Sequence, residues 1–474
     1  MTSQNPPQST LPESSPPEAS LPEHDGLVRV VDALREAVGR GEVTTVLVAV
    51  PDMAGRLKGK RFDARFFLER LVSGVEMCAY ILATDTGMDP VDGFDLTGWE
   101  SGYGDLRMRP DLHTLRRLPH EPGTVLVHGD PVHSDGAFVD VAPRQMLRAQ
   151  LARLKALGVD VKTGLESEFL LYEDDPQQLL RNGFGGLRPL SPHNLDYALD
   201  HPPALTDFLR HLEEILRDAG TPAESVKTEG APGQIEIAFR YGEAMAACDA
   251  YTVYRHATRV LAARRGLTAT WMAAPHTGVG SGLHLHISLW EGKHSLFAPG
   301  SGQDQPDHLT RALSGLVDGM PDLMPLCAPY PNSYKRFAPH SFAPTRFGWG
   351  SDNRTAAFRI TGHGTGRHVE VRLPGADANP YLALAAVCAA THHGLSTHPD
   401  LPDPCTGDGY EDTAARPVPR DLVDALMSFD SSTFAEHALG KHVVRHYARA
   451  AHHEIDHHLR HVTDIERLRG FDRV

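Results

Sequence analysis

The sequence predicts an α+β fold, a smaller N-terminal domain followed by a large one in which helices flank a curved antiparallel sheet. Three observations predict it. The chain of 474 residues exceeds the about 250–300 residues at which a single core stops growing. Four separated segments alternate apolar and ligating residues with the period of a strand, and segments with helical spacing fall irregularly between them, with no internal repeat.

In chain order, residues 1–24 are rich in Pro, Ser, Glu and Gln and lack the basic start and apolar run of a signal peptide, so they read as a disordered tail. Residues 27–38 have helical spacing closed by Gly39 and Gly41, and the β-branched residues 44–50 form a strand ending in a turn at Pro51-Asp52. A basic stretch, residues 56–61, follows. The Asp-, Gly- and Pro-rich residues 84–111 read as one long ordered loop. A strand at 124–128 precedes a helix at 143–157 that carries Pro in its first turn. A boundary near 135 therefore divides the chain into domains 25–135 and 136–474. Further helices are expected at 205–219, 244–265, 310–320, 380–394 and 420–427. Seven histidines between His442 and His461 fall at helical spacing and read as a solvated helix face.

The four alternating segments are Gly164-Leu165-Glu166-Ser167-Glu168-Phe169-Leu170, Gln234-Ile235-Glu236-Ile237, His284-Leu285-His286-Ile287-Ser288-Leu289 and Val369-Glu370-Val371-Arg372-Leu373. Side chains alternate faces along a strand, so Glu166 joins Glu168, Gln234 joins Glu236, His284 joins His286 and Ser288, and Glu370 joins Arg372. Such a sheet has a dry side and a ligating side. Carboxylates without counter-charge repel, and hard oxygen donors with imidazole suit Mg²⁺ or Mn²⁺.

A formal charge of −15 argues against a nucleic-acid or anionic-membrane partner and favours small-molecule chemistry. The five cysteines are scattered, with no C-x-x-C pair, as in a reducing cytoplasm. The apolar run at 382–390 is shorter than the about 20 residues of a membrane span and reads as a buried helix.

Two or more divalent ions in a carboxylate cage with nearby arginines suit phosphoryl transfer. Arg336, Arg354, Arg359 and Arg372 supply the forks that grip phosphate and carboxylate. There is no G-x-x-x-x-G-K-[ST] loop, so if ATP binds here its phosphates are held by metals and arginines rather than by a P-loop. Gly278, Gly280 and Gly282 lead into His284, either as a flexible turn or as a close backbone approach to a ligand.

Together these motifs resemble type I glutamine synthetases and their glutamate–amine ligase relatives, from about residue 27 onward. The resemblance rests on Glu166-Ser167-Glu168-Phe169, Glu229 with Gly233-Gln234-Ile235-Glu236, and Gly280-Ser281-Gly282-Leu283-His284-Leu285-His286. It continues through Asn332 to Arg336, Asn353 to Arg359, Glu370-Val371-Arg372 and Asn379-Pro380-Tyr381-Leu382. It implies a β-grasp-like N-terminal domain, active sites between adjacent subunits, and a dodecamer of two hexameric rings. By motif, Glu168, Glu229 and Glu236 would hold one Mg²⁺ or Mn²⁺, and Glu166, His284 and Glu370 another. Arg336, Arg372 and the Gly280 backbone would position glutamate. Arg354 and Arg359 would neutralise the transferring phosphoryl group, with His286 and Ser288 near the nucleotide. The implied reaction makes γ-glutamyl phosphate from ATP and glutamate, and an amine then displaces phosphate.

The chain also departs from the family. Ammonia-using members carry Glu before Ala-Pro on a closing flap, where this chain reads His340-Ser341-Phe342-Ala343-Pro344; Phe342 cannot deprotonate ammonium. The usual D-G-S-S stretch is matched only by Asp92-Gly93-Phe94-Asp95, leaving Asp92 and Asp105 as candidates for the amine site, with Asp85 and Asp89 as acidic loop neighbours. Ala274 replaces a common Lys, His368 a usual Arg, and the tyrosine segment adenylylated in some members has no match, although Tyr410 lies in its region. The leading expectation is an ATP-dependent glutamate ligase for an organic amine, ethanolamine or a polyamine. The alternatives are a glutamine synthetase in which another carboxylate replaces the flap Glu, a guanidino kinase on the same fold, and a catalytically silent scaffold or regulator.

Overall fold

The computed structural model describes residues 23–71, 73–299 and 305–474. The tail expected at 1–24 lies outside the described residues except for its last two, which belong to helix α1 (Glu23–Gly39).

Two sheets organise the chain. The first holds β1 (Thr45–Pro51), β2 (Leu57–Asp63), β3 (Val75–Cys78), β4 (Asp105–Arg117) and β5 (Thr124–Val132), in the order β2-β1-β5-β4-β3. Its central pair, β1 and β5, is parallel and the rest antiparallel, a mixed β-grasp-like sheet. Helix α2 (Ala64–Arg70) follows β2, with Asp63 capping it by accepting from the Arg65 and Phe66 amides.

The second sheet holds β6 (Asp160–Tyr172), β7 (Ala223–Thr228), β8 (Gln234–Glu243), β9 (Thr268–Thr270), β10 (Leu283–Glu291), β11 (His294–Ser295), β12 (Trp349–Ser351), β13 (Phe358–Thr361) and β14 (His368–Val371). Its main path runs β12-β13-β14-β10-β6-β8-β7 and is antiparallel apart from β12 and β13. The expected α+β class is what the chain adopts.

The remaining helices are α3 (Pro143–Ala156), α4 (Pro176–Arg181), α5 (Pro203–Asp218), α6 (Ala244–Arg264), α7 (Asp307–Gly319), α8 (Pro380–Thr397), α9 (Leu422–Ser431), α10 (Thr433–Leu439), α11 (Lys441–Arg460) and α12 (Asp464–Gly470). Pro380 opens α8 while Asn379 accepts from the Tyr381 amide. The apolar run within α8 is buried as expected. Helices α7 and α8 pack backbone to backbone: a Cβ on Gly394 would come within 2.0 Å of the Arg311 carbonyl, so only glycine allows this approach. Among the described residues no helix is long and apolar enough to cross a membrane, and the five cysteines are free.

Three expectations need correction. The basic stretch at 56–61 runs into edge strand β2, where Lys60 and Arg61 are exposed while Lys58 turns inward to pair with Asp52 at 3.4 Å. The loop assigned to 84–111 ends at residue 104, because Asp105 onward pairs with both β3 and β5. The histidine face of α11 is not uniformly solvated, since His446 is 3% exposed and its Nε2 lies 3.0 Å from the Leu82 carbonyl.

Candidate active site

Strand register assembles the ligating face. Directly opposed residues of an antiparallel pair share a face, and the register sets His284 against Glu166, Glu168 against Glu236, and His286 against Glu370. On the dry side, Leu165, Phe169, Ile235, Ile237, Leu285 and Ile287 are buried in the core. Glu229 enters from the turn between β7 and β8, where its amide donates to the Gln234 carbonyl.

All six sequence-derived metal candidates therefore converge. Donor atoms of Glu168, Glu229 and Glu236 lie within 4.8 Å of one another, as do those of Glu166, Glu236 and His284. His284 Nδ1 stands 3.4 Å from both Glu166 Oε2 and Glu370 Oε1, so Glu166, His284 and Glu370 also meet as expected. His286, expected near a nucleotide, sits inside the cage as well, with Nε2 3.1 Å from Glu166 Oε1 and Nδ1 3.0 Å from His368 Nε2.

The electrostatics of the face are unbalanced. Arg359 Nη1 donates to Glu370 Oε2 at 2.8 Å, Arg372 donates to the other Glu370 oxygen, and Lys227 pairs with Glu229 at 2.5 Å. Among the described residues, neither Lys nor Arg pairs with Glu166, Glu168 or Glu236. Burial, then repulsion from Glu166, Glu229 and Glu168, pushes the Glu236 carboxyl up to about 9. Burial and Glu229 raise Glu168 too. Burial works the same way on Glu370, but Arg372, His284 and His286 outweigh it and hold that carboxyl at about 2. Closely spaced hard oxygens plus imidazole, short of counter-charge, fit Mg²⁺ or Mn²⁺.

The glycine and arginine segments close over this cage. The Gly282 amide donates to Glu168 Oε2 at 2.8 Å, and Gln234 Nε2 donates to the same oxygen and to the Gly280 carbonyl, each at 2.9 Å. A Cβ on Gly282 would come within 2.8 Å of both Arg336 and His284, so the Gly282 backbone lies close against these two side chains. Arg336 is 4% exposed and donates to the Leu373 and Arg372 carbonyls. Arg372 Nε is buried without a partner among the described residues. Ser288 accepts from the Trp290 indole at 2.8 Å. Ser288, His286, Glu166, Tyr241, Trp290 and His368 line a cavity of about 300 Å³ beside the cage.

The flap segment lies beside the arginines. The Phe342 carbonyl accepts from Arg372 Nη2 at 3.2 Å, while the residue as a whole is 64% exposed. Its φ is 59° and that of His340 is 61°, left-handed conformations that cost a non-glycine residue energy. His340 packs edge-on against Tyr410.

Other candidates stand apart. Arg354 is exposed between β12 and β13, beside Asp352. Asp92 accepts from Tyr103 at 3.4 Å in the loop before β4, and Asp105 begins β4, so both belong to the first sheet's side of the chain. Sequence reasoning missed Lys227 and Asp352, the partners of Glu229 and Arg359. The alternation of β7 offered a signal for Lys227, which lies opposite Glu236 in the register.

Residues 140–469 match the pattern of the glutamine synthetase catalytic domain. The chain belongs to the type I glutamine synthetase family. It is thus an enzyme of the ligase class. It is 42% identical over 447 residues to the gamma-glutamylethanolamide synthetase of Streptomyces coelicolor, covering 94% of this chain and 96% of that one. It is 31% identical to the glutamate–isopropylamine ligase of a Pseudomonas species, covering 93% and 98%. Among solved structures, the complex titled GmaS/ADP superposes with a TM-score of 0.81 at 26% identity, covering 94% of this chain and 99% of that one.

Proposed function

We propose that this ligase joins the γ-carboxylate of glutamate to an organic amine at the expense of ATP, by way of γ-glutamyl phosphate. The carrying observation is the flap His340-Ser341-Phe342-Ala343-Pro344, whose resemblance to the Glu-Ala-Pro flap of ammonia-using members puts Phe342 at the Glu, and whose Phe342 carbonyl accepts from Arg372 beside the cage. The names of the Streptomyces and Pseudomonas relatives favour a small monoamine, ethanolamine first.

In this reading Glu168, Glu229 and Glu236 hold one divalent ion and Glu166, His284 and Glu370 a second. Such ions, when bound, neutralise the ATP phosphates and polarise the transferring group. Arg372 Nε and Arg336, with the Gly280 backbone, grip glutamate and aim its γ-carboxylate at the γ-phosphorus. That carboxylate oxygen attacks, ADP leaves, and Arg359 with Arg354 offsets the charge on the phosphoryl oxygens. The nucleotide occupies the cavity of Ser288, His286 and Trp290. An unprotonated amine then attacks the acyl carbon, phosphate departs, and a carboxylate takes the proton.

Asp92 and Asp105 lie on the first sheet's side, so they would serve the site of a neighbouring copy, consistent with active sites shared in a ring of subunits. Residues 25–135 would then be the unit offered to the neighbour and 136–474 the catalytic domain.

Phosphate release from ATP and glutamate, measured across ammonium, methylamine, isopropylamine, ethanolamine, putrescine and spermidine, tests the reading. Ethanolamine is expected to exceed ammonium at least about 100-fold in kcat/KM, roughly 2.7 kcal/mol of transition-state preference. Equal or faster turnover of millimolar ammonium would overturn the amine assignment.

A further inference from the structure

A second group of metal-type donors lies off the ligating face and takes no part in the chemistry above. His120 and Glu121, in the turn between β4 and β5, meet His256 on α6, and one donor atom of each lies within 4.8 Å of the other two. His256 Nε2 stands 3.3 Å from Glu121 Oε1. Ligands at about 2.0–2.1 Å from a tetrahedral ion are themselves roughly 3.3–3.4 Å apart, so this edge is already at ligand spacing.

His120 supplies the independent sign of a missing partner. It is 5% exposed, and among the described residues neither of its ring nitrogens has a hydrogen-bond partner. A neutral imidazole carries one N–H and one lone pair, and burying both unpaired is costly. A metal on the lone pair removes half of that cost. The surroundings resemble an outer shell: Arg61 Nη1 holds the second oxygen of Glu121 at 3.0 Å, and Arg264 donates to the His120 carbonyl, fixing the turn. Both cations are thereby engaged away from the imidazoles.

We propose that His120, Glu121 and His256 form a binding site for a zinc-class divalent ion that fastens the β4–β5 turn to α6. Two imidazoles and one carboxylate suit Zn²⁺ or Co²⁺ in a site completed by water, in contrast to the oxygen-rich cage that favours Mg²⁺ or Mn²⁺.

Metal-stripped full-length protein, kept in excess Mg²⁺ to fill the cage, is titrated with Co²⁺ and followed by visible absorption. The expected result is an intense band of low-coordinate Co²⁺ that Zn²⁺ displaces. The band is lost in the H120A/H256A double variant and weakened in E121Q, while ligase activity in Mg²⁺ is retained in both. The double variant keeps the i,i+4 histidine pairs of α11, so the readout is the difference in the band between wild type and the double variant. A band unchanged in the double variant, or no Co²⁺ binding at micromolar concentration, overturns the proposal. E121Q retains both imidazoles and keeps the test decisive if the double variant folds poorly.

Discussion

Two buried charge clusters with opposite balances share this molecule. Around Arg144, 2% exposed, the guanidinium donates to Asp249 twice at 2.9 Å, to Asp130 at 2.5 Å and to Asp111 at 2.9 Å. Arg148 adds a bond to Asp130, and the Tyr381 hydroxyl one to Asp249. This knot ties β4 and β5 to α3, α6 and α8, and its carboxylates are bonded within the chain. On the ligating face, Glu166, Glu168 and Glu236 have no Lys or Arg partner among the described residues, and Glu236 is pushed up to about 9. Burying charge is costly without compensation. The knot compensates internally and so holds the fold, whereas the face lacks a Lys or Arg partner for three of its carboxylates, as the proposed cation site requires.

The largest expected effect comes from the face. Glu229→Ala should lower kcat/KM by about 10⁴-fold, roughly 5 kcal/mol, while the metal-free melting temperature stays level or rises and the gain on adding Mn²⁺ is lost. A silent scaffold would show no such loss. Arg144→Met should do the reverse, costing about 3–5 kcal/mol of stability by leaving buried carboxylates unpaired, read as an earlier denaturant midpoint.

Buried histidines should make stability depend on pH, among them His128, whose Nε2 lies 3.9 Å from Asp249 of the knot, and His446 on α11, away from it. Burial, the largest influence, brings His128 down to about 4 from an ordinary 6.5, and His446 likewise. A histidine lowered in the folded state contributes fully above 6.5, and that contribution disappears as pH falls from 6.5 to 4, because the unfolded chain binds more protons there. The loss amounts to roughly 3 kcal/mol per histidine at most. His128→Gln should flatten this part of the stability profile, measured by denaturant titration at pH 7 and pH 5. The smallest effect is one of specificity: Phe342→Glu should raise ammonium-dependent phosphate release about 10-fold, roughly 1.4 kcal/mol, and reduce that with ethanolamine.

The ligating face was legible because strand alternation and antiparallel register are local, strict rules. Glu166, Glu168, Glu236, His284 and Glu370 needed only the period of two. Arg144 was not legible, since a lone arginine in a helix carries no pattern and its three carboxylates lie far away in sequence. Strand β4 was hidden because Pro110 and the preceding Asp- and Gly-rich run look like loop chemistry. Strand β2 was hidden because an edge strand displays charge. The nucleotide role that the motif gives His286 did not reveal its second position, opposite Glu370 and within the cage.

The central claim is that the cation-demanding face forms γ-glutamyl amides of an organic amine. Its most direct measurement is mass spectrometry of the products made from glutamate, ATP and Mg²⁺ with ethanolamine and ammonium present together at equal concentration. γ-Glutamylethanolamide is expected in step with phosphate, with only a trace of glutamine. Glutamine as the main product, or phosphate without any amide, would contradict it.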